Sequence, residues 1–100
     1  MKVTLLKKLL IRTISSSEYK TIHPGGRALV STGLTLSPGV VKRISSIDDL
    51  VIKCGIQVGA STIDDRGELQ ILLFNHSIDH VFKISPRDEI AYMYDESINF

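Results

Sequence analysis

The sequence holds a single cysteine, Cys54, with no second thiol to pair with it. An intrachain disulfide is therefore excluded, and a lone thiol suits a reducing compartment. Net charge is also scarce: 12 Lys and Arg against 11 Asp and Glu leave +1 at pH 7. Bulk electrostatics thus make no case for nucleic acid or for an acidic partner. No apolar run reaches the roughly 20 residues that span a bilayer. The opening MKVTLLKKLLIRTI is divided by Lys7 and Lys8, and no small-residue cleavage site follows. A soluble, intracellular protein is expected, with no membrane partner. There is no internal repeat, no low-complexity linker and no G-x-S-x-G around Ser45 or Ser46. One domain over residues 1–100 is expected, without serine-hydrolase chemistry.

What is present is a globular composition, 43% apolar and 23% charged. A chain of this length buries a modest core and can lean on oligomerisation. Turn signals recur at Ser15-Ser16-Ser17, Pro24-Gly25-Gly26, Ser37-Pro38-Gly39, Asp65-Arg66-Gly67, Asn75-His76-Ser77 and Ser85-Pro86. Their spacing is that of short strands in a sandwich or barrel. The segments between them, RALVSTGLTL, DLVIKCGIQV, ELQILLFN, HVFKI and EIAYMY, favour extended chain. ELQILLFN is nearly continuous in apolar character, as a strand buried on both faces would be. Residues 2–12 fit either a helix or a strand, and Val3, Thr4, Ile11 and Thr13 tip them toward strand. The predicted fold is all-β.

Chemistry concentrates in GASTIDDRGELQILLFNHS, residues 59–77, where Asp64, Asp65 and Arg66 precede Gly67 and Glu68. Two carboxylates beside a guanidinium, with a glycine for a tight turn, suit either a reactive turn or the polar tip of a hairpin. Elsewhere His76, Asp79 and His80 are too few for a zinc site without a further ligand, and a solvated loop accounts for them. Cys54 lacks a CxxC partner and reads as a small core or surface residue, not a nucleophile. Tyr92 and Tyr94 share a face of the last predicted strand, which fits intersubunit packing better than base stacking. The first half of the chain is basic and the second carries most of the acids, as solvated faces do.

The order of residues in that stretch resembles the third motif of the trimeric dUTPases, approximately G-x-G-[VT]-I-D-x-[DG]-Y-R-G-E, matched by Gly59, Ile63, Asp64, Arg66, Gly67 and Glu68. IHPGGRALVSTGLTLSPG is similar to that family's I-P-P-G-x-x-A-L-V-x-T-G segment, and KCGIQV to its K-x-G-I-x-V. ISPRDEIAYM is similar to its fourth motif, x-x-G-D-R-I-A-Q-L, through Asp88, Ile90 and Ala91. The similarity runs from about Lys20 to Met93. It implies a jelly-roll-type β subunit, a homotrimer with sites between subunits, and Mg²⁺-assisted hydrolysis of dUTP to dUMP and pyrophosphate. In that scheme Asp64 is the carboxylate that activates water. Ser45, Ser46, Gly55, Ile63 and Arg66 fall at substrate-binding positions.

The departures fall at the chemistry. The family's first motif, A-G-x-D-L, would lie near Ile14–Tyr19, where only Glu18 offers a carboxylate. The phosphate-binding second motif, R-S-[GS]-L, falls on Ile47-Asp48-Asp49-Leu50, or, with a slip, on Ile44–Ile47 beside Arg43. Two residues are missing between Asp64 and Arg66, among them the family's tyrosine. Glu89 and Tyr92 replace Arg and Gln of the fourth motif, and the end DESINF lacks the glycines of the fifth. A site that works through preorganised positive charge loses most of its rate when those groups go. The expectation is a dUTPase-fold protein, of a kind expected in viral lineages, that binds or regulates rather than hydrolyses and holds no metal. The alternative is an active, divergent dUTPase using Asp64 and Mg²⁺. LLFNHS also resembles a segment of an adenoviral early-region oncoprotein that binds host proteins. No protein partner can be named from the sequence.

Overall fold

The computed structural model describes residues 11–36 and 42–95. The helix-or-strand question over residues 2–12, the Ser37-Pro38-Gly39 turn and the C-terminal DESINF lie wholly or mostly outside them. Eight strands follow in order: β1 Arg12–Ser15, β2 Lys20–Ile22, β3 Arg27–Thr35, β4 Lys42–Ser45, β5 Ile56–Ile63, β6 Glu68–Asn75, β7 Phe82–Ile84 and β8 Glu89–Asp95. They form three antiparallel sheets, ordered β1-β8-β4, β2-β7 and β3-β6-β5. The all-β expectation holds. Among the described residues no helix is long and apolar enough to cross a membrane.

All three sheets feed one core. Ile14 and Met93 enter from the first, Ile22 and Ile84 from the second, Val30 and Ile71 from the third, each no more than 2% exposed. Strand periodicity makes this possible, because alternate side chains of one strand share a face. HVFKI behaves as its alternation predicts, with Ile84 buried and Val81 and Lys83 in water.

Strand β6 is less enclosed than its sequence suggests. Leu69, Ile71, Leu73 and Asn75 point into the core, while Gln70, Leu72 and Phe74 face outward and are half-buried. The outer apolar residues are covered by neighbours in the same sheet, Leu29 opposite Leu72 on β3 and Gly59 beneath the Phe74 ring on β5. A central position, rather than a second packed layer, explains the apolar run.

One segment departs from the extended reading. Leu50–Cys54, expected to lead into a strand, forms a single wide helical turn with no fully buried residue, though Leu50 and Cys54 pack partly against the core. Gly55 ends it with φ 71°, and its N–H bonds to the carbonyls of Leu50 and Val51. A left-handed glycine just past the last turn is a strong helix stop. The Gly55 carbonyl then accepts His76 N–H at 2.8 Å, which fixes the start of β5 against the end of β6.

Candidate functional site

The hairpin between β5 and β6 carries the charged cluster. Asp64 N–H donates to the Glu68 carbonyl at 3.0 Å, and Gly67 N–H donates to the Asp64 carbonyl at 2.9 Å. The Asp64 side chain closes the same turn from inside: Oδ1 accepts Arg66 N–H at 2.9 Å and Glu68 N–H at 3.0 Å. Gly67 takes φ 83°, which a β-carbon would strain, and its carbonyl receives Leu36 N–H at 3.1 Å. The Glu68 N–H bond, followed by the Arg66 N–H and guanidinium, holds the Asp64 carboxyl below its usual range, against a rise from partial loss of solvent. Asp64 is thus an ionised group built into the tip of its own hairpin, with one oxygen committed to the backbone.

The other sequence candidates scatter. Ser45 and Ser46 turn in different directions. Ser45 lines an open groove of about 400 Å³ with Ile11, Tyr92 and Tyr94 on the outer face of the β1-β8-β4 sheet. Ser46 Oγ accepts Val58 N–H at 2.9 Å and so caps the first half of β5. Gly55 serves as the helix stop already described, and Ile63 stands 47% exposed beside Asp64. Arg66 extends into solvent at the hairpin tip. Among the described residues no hydrogen bond or ion pair joins Ser45 or Ser46 to Asp64 or Arg66 within one chain. Tyr92 and Tyr94 do share a face, as their alternation requires.

Glu18, the one carboxylate near the expected place of the absent first motif, is half-buried and committed to structure: Oε2 accepts Ser31 N–H of β3 at 2.7 Å. The adjoining turn is closed by buried Ser16, whose hydroxyl donates to the Glu18 carbonyl at 2.6 Å and accepts Glu18 N–H at 3.1 Å. Asp48 and Asp49 are exposed before the helical turn. Among the described residues no three His, Cys, Asp or Glu side chains gather where they could hold a cation. The side-chain donors of the described residues do not by themselves make up a Mg²⁺ shell. His80 Nδ1 meets Asp79 at 2.6 Å on the surface, both side chains largely exposed, which suits a solvated loop.

Sequence reasoning missed one functional-looking feature. Val51 and Ile52 of the helical turn lie beside Val81 and Phe82 around a groove of about 380 Å³. Nothing marked it, because the segment read as a strand whose apolar residues would be inside.

Fold and site together define an all-β protein built around a charged β5–β6 hairpin. No protein-family profile matches the chain. Individual relatives do. Over 87 residues it is 39% identical to the deoxyuridine 5'-triphosphate nucleotidohydrolase of Yarrowia lipolytica, spanning 83% of this chain and 55% of the relative. The enzyme of that name from Saccharomyces cerevisiae is 37% identical over 89 residues, 85% of this chain and 60% of the relative. That from avian adenovirus 8 is 38% identical over 84 residues, 80% and 51%. The chain spans little more than half the length of these relatives. Over the shared stretch it is similar to these dUTPases along most of its own length.

Proposed function

We propose that this chain is a dUTPase-fold binding protein, assembled as a homotrimer, that does not turn over dUTP. The observation that carries this reading is the commitment of its polar side chains to the fold. Glu18 is held by Ser31 N–H, Ser46 by Val58 N–H, and Asp64 Oδ1 by Arg66 and Glu68 N–H. By the resemblance, Asp48, Asp49 and Glu89 fall at positions where the family carries phosphate-binding groups, unless the second motif slips to Ile44–Ile47 beside Arg43, and carboxylates there oppose a triphosphate. The role left to such a scaffold is recognition of a partner.

The test is pyrophosphate release from dUTP with Mg²⁺ by the purified, sized oligomer. Release at the uncatalysed background is expected. Mg²⁺-dependent turnover abolished by Asp64→Asn would overturn the reading. Sedimentation at micromolar concentration checks the assembly, and monomer alone would count against the trimer.

One observation favours active hydrolysis as the second reading. Asp64 stays ionised, and its Oδ2 carries no hydrogen bond among the described residues, so a water could be oriented there. The same assay decides between the two.

A further inference from the structure

Asn75-His76-Ser77 is an Asn-x-Ser triplet, the acceptor pattern for Asn-linked glycosylation. That pattern ordinarily marks a surface loop, because the modified amide must reach an enzyme and then carry a bulky, hydrated glycan. In this fold the acceptor is on the inside. Asn75 is 1% exposed at the end of β6. Both Nδ2 hydrogens are in use, one on the Ile22 carbonyl at 3.0 Å and one on the His80 carbonyl at 2.8 Å. Turning the amide over does not release them, because Oδ1 accepts Ser77 N–H at 3.0 Å. The hydroxyl of the triplet is engaged as well: Ser77 Oγ donates to the His80 carbonyl at 2.8 Å and accepts His80 N–H at 3.3 Å.

A sugar on this nitrogen has no room. With a single C–N bond of about 1.45 Å, a carbon replacing either Nδ2 hydrogen would lie roughly 1.5 Å from a carbonyl oxygen, far inside contact distance. The backbone cannot easily move aside, since Asn75 N–H donates to the Gly26 carbonyl and the Asn75 carbonyl accepts Gly25 N–H, each at 2.9 Å. The unfolded chain has none of these obstacles. A chain threaded into a glycosylating compartment from its N-terminus presents Asn75 before His80, Ile84, Ile90 and Met93. His80 supplies one of the two carbonyls, and the other three are core residues no more than 2% exposed. The enclosure of Asn75 is thus unfinished when its amide first appears.

We propose that Asn75 is a glycosylation site of the unfolded chain, and that its modification and this fold exclude each other. In the transfer the Asn75 side-chain nitrogen bonds to the anomeric carbon of a lipid-linked oligosaccharide. The bond from that carbon to the lipid diphosphate oxygen breaks, the lipid diphosphate leaves, and the amide proton passes to a base of the transferase. The product keeps one N–H, so either the Ile22 or the His80 carbonyl loses its donor even before the glycan is accommodated. The fold is therefore the product of chains that escape this transferase. This inference goes beyond the binding role proposed above and does not rest on it.

The test is cell-free translation of the full chain behind a cleavable signal peptide, with and without endoplasmic-reticulum microsomes. With microsomes, a mass increase removed by N-glycosidase is expected, and it should vanish in Asn75→Gln. Once the membranes are opened with detergent, added protease should cleave the glycosylated chain at least about tenfold faster than the chain made without microsomes. A competing acceptor tripeptide keeps the wild-type chain unmodified inside the microsomes and should restore resistance without any substitution. Absence of the glycan overturns the proposal, because the amide is then not read before it is enclosed. A glycosylated chain as resistant as the unmodified one overturns it as well. So does a chain that stays sensitive when the tripeptide blocks transfer, since something other than the glycan then prevents folding.

Discussion

The ring of Phe74 occupies the space where a side chain on Gly59 would be: a β-carbon there would overlap Cε2, Cδ2 and Cζ of the ring. The glycine sits at the bulge of β5, and the ring also lies 5.8 Å from His76, centroid to centroid. His76 in turn meets Gln57 at 2.9 Å, so one aromatic pair bridges the outer surface of two strands. Gly59→Ala should expel the ring and destabilise the fold by about 1–3 kcal/mol, as overpacking does. A lowered urea midpoint with an unchanged slope checks this. Adding Phe74→Leu should recover part of the loss, because the smaller side chain frees the space.

Asn75 ends β6 as a buried polar node, 1% exposed. Its Nδ2 donates to the carbonyls of Ile22 at 3.0 Å and His80 at 2.8 Å, and its Oδ1 accepts Ser77 N–H at 3.0 Å. One amide therefore ties β2, β6 and the 76–80 loop together. Asn75→Leu leaves those groups without a partner and should cost about 2–4 kcal/mol, the range for unpaired buried polar groups. Thermal unfolding measures the loss. Hydrogen exchange should also rise first in the 76–80 loop, which a purely volumetric defect would not select.

The strands were legible because alternation and punctuation agree locally. HVFKI and RALVSTGLTL carry their own period, and glycines and prolines mark their ends. Leu50–Cys54 misled because β-branched Val51 and Ile52 favour extended chain. The left-handed stop at Gly55 and the pull of β5 pairing decided the local geometry instead. The site was half legible. Residue order located the Asp64 hairpin, but not that its carboxylate would be enlisted by its own turn. Ser45 ends β4 and Ser46 follows it, and their divergence, one onto an open groove and one onto Val58 N–H, was not legible in the residue order. That β5 lies at a sheet edge was invisible, since sheet order is set by long-range pairing.

Acid sensitivity should trace in part to Asp64. Its carboxyl titrates below the unfolded value because the charged form receives two backbone N–H groups and a nearby guanidinium. The sign follows: the stabilisation is fully present above the unfolded carboxylate range, near pH 4. It disappears as pH falls through the lower folded value. Asp64→Asn retains an acceptor but not the charge. Its denaturation midpoint should therefore be lower than wild type at pH 7, with the gap closing as the pH falls below the ordinary carboxylate range. A gap that stays constant over that range would show that the charge contributes nothing.

Arg87 holds φ 79°, and it is the one non-glycine residue with a positive φ among the described residues. It lies in the Ser85–Asp88 turn, where Asp88 Oδ2 accepts Ser85 N–H at 2.9 Å. Arg87 N–H donates to the Ser16 carbonyl at 2.8 Å, and Ser16 N–H donates to the Asp88 carbonyl at the same distance. These bonds lock the turn against β1, so the chain cannot relax the strained dihedral without breaking them. A left-handed conformation costs an L-residue about 1–2 kcal/mol, and glycine escapes that cost while losing about 0.5–1 kcal/mol of extra chain entropy on folding. The difference favours glycine here. Arg87→Gly should raise stability by about 0.5–1 kcal/mol, read as an upward shift in melting temperature. Arg87→Ala keeps the β-carbon and should gain nothing. Equal gains from both substitutions would locate the effect in the guanidinium rather than the backbone.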